Sequence, residues 1–447
     1  MLSVLRRSRN NGNKGEFTTN DAEDLTNLTV LLMENLNRLH SGCDYSGPHL
    51  LSLPNEVFDQ ITPFLCNTEL LNLRAVSKRL KTVSDYALKS RKRCLVVDPG
   101  NESKVEGLFE VYRDLLSLEF CCTKRPFEEL LSNCVRKLTK LKKLRIFASV
   151  SNELSIGLIG EIFSNIQDLS LVWLQVNDDC LNSLFVKLVQ LKRVQIEGLP
   201  VSGACFASLP QNVKTIQFET SEDVNVALMF STMRPQLKCL SLTANRLENS
   251  ENFLKIVSKC TPNLEEFHLR LMWALLNVHC LNLEKLQCLS LTVGEIRGNI
   301  KQISIMQQLE SLFLDVVDIN EMNLMAIVAQ CPNVKTIGIS LSRSAHINLR
   351  GNFVNTLKCL KSLQELSIYD DNYNLRKYTV GTLNYDALVE AIIALHWISD
   401  LEIFIDSMDA IYVKSFIKAI KFIASKRNSC TFDVHINKER VEMCVSE

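Results

Sequence analysis

Apolar and polar residues form one short pattern that recurs twelve times along this chain. In each occurrence, apolar residues stand at positions one, four and six of a hexamer, as in Leu286–Leu291. The hexamers open at Leu115, Leu141, Ile166, Leu191, Val213, Leu237, Leu264, Leu286, Leu309, Val334, Leu363 and Ile398. Successive openings are 22 to 35 residues apart, which indicates an irregular array of short repeats.

Each hexamer predicts a β-strand with one apolar face, because positions four and six point to the same side of an extended chain. One such unit cannot bury that face alone, so neighbouring units must stack. Strands lie about 4.7–4.9 Å apart and helices are about 10–12 Å wide, so a strand layer backed by helices curves. We therefore expect an α/β solenoid: a leucine-rich-repeat horseshoe of about twelve clear repeats, with irregular end strands near residues 94–98 and 431–436.

The first part of the chain has a different pattern. Residues 1–47 are expected to be mostly disordered, with a possible helix over residues 21–40. Residues 48–92 carry apolar side chains at three- and four-residue steps, which predicts three short helices, and Pro54 suits the first turn of the first one. So small a core needs support from a neighbouring domain or a partner. Residues 93–447 form the repeat domain.

Two stretches of this helical segment resemble an F-box. One runs Leu-Pro-Asn-Glu-Val from Leu53, and the other runs Leu-Arg-Ala-Val-Ser-Lys-Arg-Leu from Leu73. The resemblance covers roughly residues 49–90, and with the repeats that follow the chain resembles the leucine-rich-repeat branch of F-box proteins. It departs from the family at Leu80, where many F-boxes carry tryptophan, and at Ser77, where cysteine is frequent. Only Asn245 matches the asparagine or cysteine that follows the strands in that family.

The resemblance implies a substrate-recognition subunit of a Skp–cullin–F-box ubiquitin ligase. The F-box would bind a Skp-type adaptor and through it a cullin, and the repeats would hold a protein substrate for ubiquitination. The implied adaptor-binding residues are Leu53, Pro54, Val57, Ile61, Leu65, Leu70, Leu73, Val76 and Leu80. The alternative is a non-catalytic leucine-rich-repeat scaffold with a drifted F-box that no longer binds the adaptor. No sequence feature demands a small molecule in the hollow of the horseshoe.

Charge and cysteine usage point to a protein of a reducing compartment. Fifty basic and fifty acidic side chains cancel, so no overall field favours nucleic acid or an acidic membrane as a partner. No apolar run approaches the length of a membrane span. The sixteen cysteines are spread thinly, which favours structural thiols and a cytoplasmic or nuclear location. The basic residues 1–9 resemble a mitochondrial presequence faintly, and a solvated tail is the ordinary interpretation.

The sequence carries no catalytic signature. It has no phosphate-binding glycine loop, nucleophile elbow or His-Glu-x-x-His motif, and its seven histidines are scattered. We therefore expect no enzyme, no metal and no cofactor. His268 falls at an outward strand position, where an exposed polar residue is the ordinary interpretation.

Function is then expected on the outward side of the strands. Positions three and five, and the residue after position six, point away from the predicted core. Near the C-terminus these positions combine acids with aromatic residues, which are frequent anchors of binding surfaces. The predicted target-binding residues are Phe313, Asp315, Glu365, Tyr369, Asp400, Glu402 and Phe404. Two alternatives remain open: residues 437–447 cover this surface, or the site lies around Lys143, Arg145 and Arg193.

Overall fold

The computed structural model describes most of the repeat region and part of the helical segment. The described residues are 58, 62, 65, 67–90, 94–105, 108–109, 115–124, 138–148, 153–248, 252–277, 283–297, 306–318, 321–340, 356–370, 385–395, 397–405, 410–426, 431–436 and 439–441. The possible helix over residues 21–40 and the start of the F-box-like segment lie outside them.

One fifteen-stranded sheet runs through the described chain, and its strands follow each other in sequence order. The first fourteen strands are parallel, and the last is antiparallel to its neighbour. Their bounds are β1 Cys94–Val97, β2 Ser117–Cys121, β3 Lys143–Phe147, β4 Asp168–Val172, β5 Arg193–Glu197, β6 Thr215–Asn225, β7 Cys239–Glu248, β8 Glu266–Asn277, β9 Cys288–Arg297, β10 Ser311–Asp318, β11 Thr336–Ser340, β12 Glu365–Asp370, β13 Asp400–Ile405, β14 Thr431–Ile436 and β15 Glu439–Arg440. All twelve hexamers form strands, and both predicted end strands are present.

The register of the sheet keeps equivalent repeat positions side by side. Leu289 in β9 pairs with Leu312 in β10, and Ile337 in β11 pairs with Leu366 in β12. Positions four and six of every hexamer are buried, as predicted. These side chains form one continuous hydrophobic core along the solenoid, because each repeat buries its apolar face against the next.

Helices and short turns connect the strands. Their bounds are α1 Asn67–Val76, α2 Lys78–Ser90, α3 Glu153–Ile162, α4 Asp178–Lys187, α5 Val226–Met229, α6 Phe253–Cys260, α7 Glu321–Ala329, α8 Tyr385–Ala394 and α9 Ala410–Ala424, with 3-10 helices at Glu102–Lys104 and Ala204–Ser208. The parallel sheet, the connecting helices and the repeat length together fit a leucine-rich-repeat solenoid.

Helices α1 and α2 pack onto the first repeats. Buried residues of this segment, including Leu70, Leu73 and Leu80, belong to the same hydrophobic core as Leu95 in β1. The Nζ of Lys104 also donates a hydrogen bond of 3.0 Å to the side chain of Asn72 in α1. The small helical segment therefore leans on the solenoid, as its size leads one to expect.

Four consecutive strands end in the same left-handed corner. Cys122, Ala148 and Trp173 have φ between 45° and 53°, and Gly198 has φ of 65° at the equivalent position. At each corner the backbone N–H donates to a carbonyl of the following strand, for example Ala148 to Val172 at 2.9 Å. The ladder thus continues past the strand ends without asparagine side chains.

Asparagines do bridge repeats, but mostly before the strands. The side chains of Asn263 and Asn333, which directly precede hexamers, donate to backbone carbonyls of the preceding repeat at 2.8 and 2.9 Å. Asn245, the one match to the family position after the strand, donates to the carbonyl of Ser221 at 3.1 Å. Both arrangements satisfy turn carbonyls that would otherwise lack a partner.

A buried arginine binds carbonyl groups at the C-terminal end of the 3-10 helix Ala204–Ser208. Arg234 is 1% exposed, and its guanidinium donates to the carbonyl oxygens of Phe206 and Leu209. Burial lowers the pKa of this guanidinium. A cation fits here because the last carbonyls of a helix carry partial negative charge.

Candidate protein-interaction surface

The sheet has an open face, made of the residues at positions three, five and seven of each repeat, where seven is the residue after the hexamer. From β10 to β14 these positions read Ser311, Phe313, Asp315; Thr336, Gly338, Ser340; Glu365, Ser367, Tyr369; Asp400, Glu402, Phe404; and Thr431, Asp433, His435. On these five strands, all within the described chain, the open face holds five carboxylates and neither lysine nor arginine. This half of the face is strongly acidic.

Three rings stack across the last strands at position seven. Tyr369 and Phe404 have centroids 5.4 Å apart with planes 15° apart. Phe404 and His435 follow at 4.3 Å and 11°. These distances are close to the spacing of strands in a sheet, so each strand contributes one ring. We call Tyr369, Phe404 and His435 the aromatic stack.

Hydrogen bonds fix the carboxylates beside the stack. Glu402 accepts from the Tyr369 hydroxyl at 2.5 Å and from the Ser367 hydroxyl at 3.0 Å. Partial burial, together with the hydrogen bond to Glu402 and its charge, raises the pKa of Tyr369 to about 12. Asp433 lies 3.1 Å from the Nε2 of His435. The stack and its acids therefore form one ordered polar–aromatic unit.

Some of the carboxylates are direct neighbours across strands. Glu365 pairs in register with Asp400, and Glu402 pairs with Asp433. Like charges at adjacent ladder positions repel each other. The acidic face is therefore an electrostatically unfavourable arrangement that a cationic partner would relieve.

Phe313 lies apart from the stack. It occupies position five, in the row next to the stack, and its ring covers Gly338, where an added Cβ would meet the ring at 2.5 Å. Phe313 is 39% exposed. The register thus brings Tyr369 and Phe404 together but leaves Phe313 as a second, separate apolar contact.

The C-terminal segment extends the sheet edge where it is described. Glu439–Arg440 pairs antiparallel with β14, with Arg440 opposite His435. The Val441 N–H then donates to the carbonyl of Val434 at 2.7 Å. These tail residues therefore cap the last strand rather than cover the open face. The other residues of the range 437–447 lie outside the described chain.

The N-terminal half of the open face has compensated charge. Lys143 and Arg193 both contact Asp168 at 3.3 Å, and Arg145 contacts Glu119 at 3.4 Å. These residues line a shallow groove of about 320 Å³ across β2 to β6. The basic patch expected from the sequence around Lys143, Arg145 and Arg193 is thus largely neutralised by neighbouring acids.

A tryptophan at a strand end is a surface feature that sequence reasoning missed. Trp173 is 56% exposed, packs 5.1 Å from Phe147 between ring centroids, and covers Gly198. Trp173 follows the last residue of β4, where the chain leaves the extended conformation, so the alternation of side chains along the strand does not predict which way the indole points. His435 was also missed, although the predicted end strand places it at position seven.

The residues implied in adaptor binding divide by burial. Leu65, Leu70, Leu73 and Leu80 are at most 4% exposed and belong to the chain's own core, so with this packing they support the helices. Val76 is partly buried. The remaining four, Leu53, Pro54, Val57 and Ile61, lie outside the described residues. Adaptor contact through this segment stays a prediction for all nine residues.

The described ranges hold neither a cluster of metal-binding side chains nor a helix that could cross a membrane. There, no group of three or more His, Cys, Asp or Glu side chains is placed to hold a metal ion. No described helix combines the length and the apolar character that crossing a membrane requires. Among the cysteines in these ranges no disulfide forms, and burial raises the pKa of Cys331 to about 12. Such thiols are protonated and serve as small apolar side chains.

Comparison with known proteins leaves the family open. No family model matches the chain, and no curated protein matches it. Among solved structures, it is similar to the crystal structure of the TLR13–ssRNA13 complex, at 16% sequence identity and a TM-score of 0.36. That match covers 72% of this chain, and this chain spans only 38% of the other. So distant a likeness carries no weight for function. The repeat fold itself defines a class, a solenoid of leucine-rich-repeat type, which is suited to act as a protein-interaction scaffold.

Proposed function

We propose that this protein is the substrate-recognition subunit of a Skp–cullin–F-box ubiquitin ligase, and that the acidic aromatic face of β10 to β14 binds its target. The observation that carries the target-binding part is the combination of five carboxylates, the aromatic stack, and neither lysine nor arginine on that face. Aromatic anchors supply contact area, and the acids select a basic segment.

The ligase part of the proposal rests on the F-box resemblance of residues 49–90. In this role the chain performs no chemistry itself. It holds the target close to a ubiquitin-loaded partner, which raises the effective concentration of the reacting groups. The second candidate, a scaffold without an adaptor, keeps the same target-binding face and differs only in the helical segment.

Binding to a purified Skp-type adaptor separates the two candidates. We expect the wild-type chain to co-purify with the adaptor and the double variant Leu53→Ala, Pro54→Ala to lose it. Val186→Ala, which truncates an exposed side chain on α4, is the matched control and should retain binding. Adaptor binding that is undiminished in the double variant, or absent in the wild type, would leave the scaffold as the better description.

Target binding is tested at the three predicted aromatic residues of the acidic face. The variant Phe313→Ala, Tyr369→Ala, Phe404→Ala should lose target capture while adaptor binding and the circular dichroism spectrum stay unchanged. These side chains lie on the open face rather than in the core, so their truncation leaves the hydrophobic core intact. Retained capture by a folded triple variant would exclude this face as the site.

A further inference from the structure

Two cysteines adjoin at the first of the left-handed corners. Cys121 is the last residue of β2, and Cys122 follows it with φ of 52°. Consecutive side chains of a strand point to opposite sides, but the left-handed residue ends that alternation, and the two cysteine side chains come into hydrogen-bond contact. The Cys122 N–H donates to the carbonyl oxygen of Phe147 at 2.8 Å, which holds the corner in place. The fold thus brings two thiols together at one strand end.

The two thiols differ in their access to solvent. Cys122 is exposed, whereas Cys121 is half-buried. Burial raises the pKa of the Cys121 thiol, the hydrogen bond to Cys122 and the charges of Cys122 and Glu119 add to the rise, and the Arg145 guanidinium opposes it. The protonated Cys121 thiol is a poor nucleophile, because the thiolate is the attacking form. An incoming molecule therefore meets Cys122 first, with Cys121 directly behind it.

We propose that Cys121 and Cys122 are an oxidation site for small disulfides of the glutathione type, which convert the pair into a disulfide between neighbouring residues. The Cys122 thiolate attacks one sulfur of the small disulfide, so a new S–S bond forms, the old one breaks, and the released thiolate takes up the proton that Cys122 gave up. The Cys121 thiol then loses its proton and attacks the Sγ of Cys122, which expels the second small thiol. The pair loses two electrons and two protons, and one small disulfide becomes two small thiols.

The bond between neighbours is expected to be reversible. Adjacent Cα atoms are about 3.8 Å apart, which is less than the roughly 4.4–6.8 Å that is usual for disulfides. The bridge is therefore strained, and strained or exposed disulfides have the more oxidising potentials that are typical of labile, regulatory bonds. The pair should close when small disulfides accumulate and reopen when they are reduced. It lies on β2, far along the sheet from β10 to β14, so the inference goes beyond target binding and does not rest on it.

Peptide mass spectrometry reads the site directly, because trypsin releases residues 114–124 as a peptide whose only cysteines are these two. Residues 94–104 form a control peptide with one exposed thiol, Cys94, which pairs in register with Ser117 rather than with a cysteine. The full-length protein is incubated with oxidised glutathione, quenched with acid and blocked with N-ethylmaleimide. We expect the first peptide to lose two hydrogens and carry no glutathione, and the control to carry one. Glutathione or maleimide on the first peptide would overturn the proposal.

Single variants test the order of the two steps. Cys121→Ser should stop the reaction after the first step, with glutathione retained on Cys122. Cys122→Ser should accept glutathione about tenfold more slowly, because the remaining thiol is half-buried and protonated. Circular dichroism confirms that both variants fold. Equal rates of glutathione addition in the two folded variants would refute the assigned order of attack.

Unfolding in urea separates the fold from the adjacency of the residues in sequence. At a fixed concentration of reduced glutathione, the unfolded chain should need about tenfold more oxidised glutathione to close half of the pairs, since the corner no longer holds the thiols in contact. If the folded and unfolded chains close at the same concentration, the corner has no part in the reaction and the structural basis of the proposal falls.

Discussion

The corner at Gly198 allows a prediction whose sign is fixed by geometry. Replacement by alanine adds a Cβ to a residue with φ of 65°, which costs about 1–2 kcal/mol in the left-handed region. That Cβ would also stand 2.1 Å from the Cδ1 of Trp173. The exposed indole can swing outward, but it then loses its contact with Phe147, worth about 0.5–1.5 kcal/mol. We expect Gly198→Ala to lower the free energy of unfolding by about 1.5–3.5 kcal/mol.

Gly157 provides a control with the opposite sign. It lies within α3, and nothing stands within 4 Å of the Cβ that alanine would add. Removing a glycine from a helix interior should stabilise the protein by about 0.5–1 kcal/mol. Urea denaturation followed by far-ultraviolet circular dichroism gives both midpoints. Acrylamide quenching reports the exposure of Trp173 once the other two tryptophans, Trp273 and Trp397, are replaced by phenylalanine. If both variants shift the midpoint in the same direction, the corner geometry described for β5 is incorrect.

Two further predictions concern the core and the stack. Leu289→Ala and Leu312→Ala should each lower the free energy of unfolding by about 2–5 kcal/mol, because each leaves a cavity in the core. The outward variant Ser290→Ala should change it by no more than about 0.5 kcal/mol. Equal shifts of the melting temperature in the three variants would mean that the strand register is displaced by one residue. The pKa of Tyr369 is raised from its usual 10.0 to about 12 in the folded chain, so folding favours the protonated phenol. This preference contributes fully to the free energy of unfolding below pH 10, and the contribution is lost as the pH rises from 10 to 12. The absorbance difference at about 295 nm between wild type and Tyr369→Phe should inflect in that upper range, and an inflection at the usual value would contradict the hydrogen-bonded geometry.

The strand layer was predictable because burial imposes a strict period. Every hexamer became a strand with positions four and six inside, since a shift of one residue would turn the apolar set toward solvent. The corners were not predictable in the same way. Cys122, Ala148 and Trp173 adopt positive φ without being glycine, and the force that holds them there is a hydrogen bond to the next repeat. Such non-local contacts leave no mark in the local sequence.

The candidate site was foreseen in composition and only partly in arrangement. Alternation placed Phe313, Tyr369 and Phe404 on the outward side, and the structure agrees. That Phe313 rests on Gly338 depends on which residues two adjacent strands bring together, and the sequence alone does not show ring positions. The spacing of the implied adaptor residues Leu70, Leu73 and Leu80 predicts apolar helix faces. Spacing alone does not show whether such a face packs against a partner or against the chain's own first repeats, where the structure places these residues.

The two halves of the open face differ in what their charges achieve. In the N-terminal half, Lys143 and Arg193 contact Asp168, and exposed pairs of this kind contribute at most about 1 kcal/mol of stability; their main effect is to cancel the local field. In the C-terminal half, Glu365 and Asp400 are cross-strand neighbours of like charge, and no lysine or arginine stands on the open face of β10 to β14 to offset them. That arrangement opposes folding, so stability does not account for it. A basic segment laid along these strands would reduce the repulsion and contact the aromatic stack, which makes the acidic half, rather than the neutral one, the surface where binding gains most.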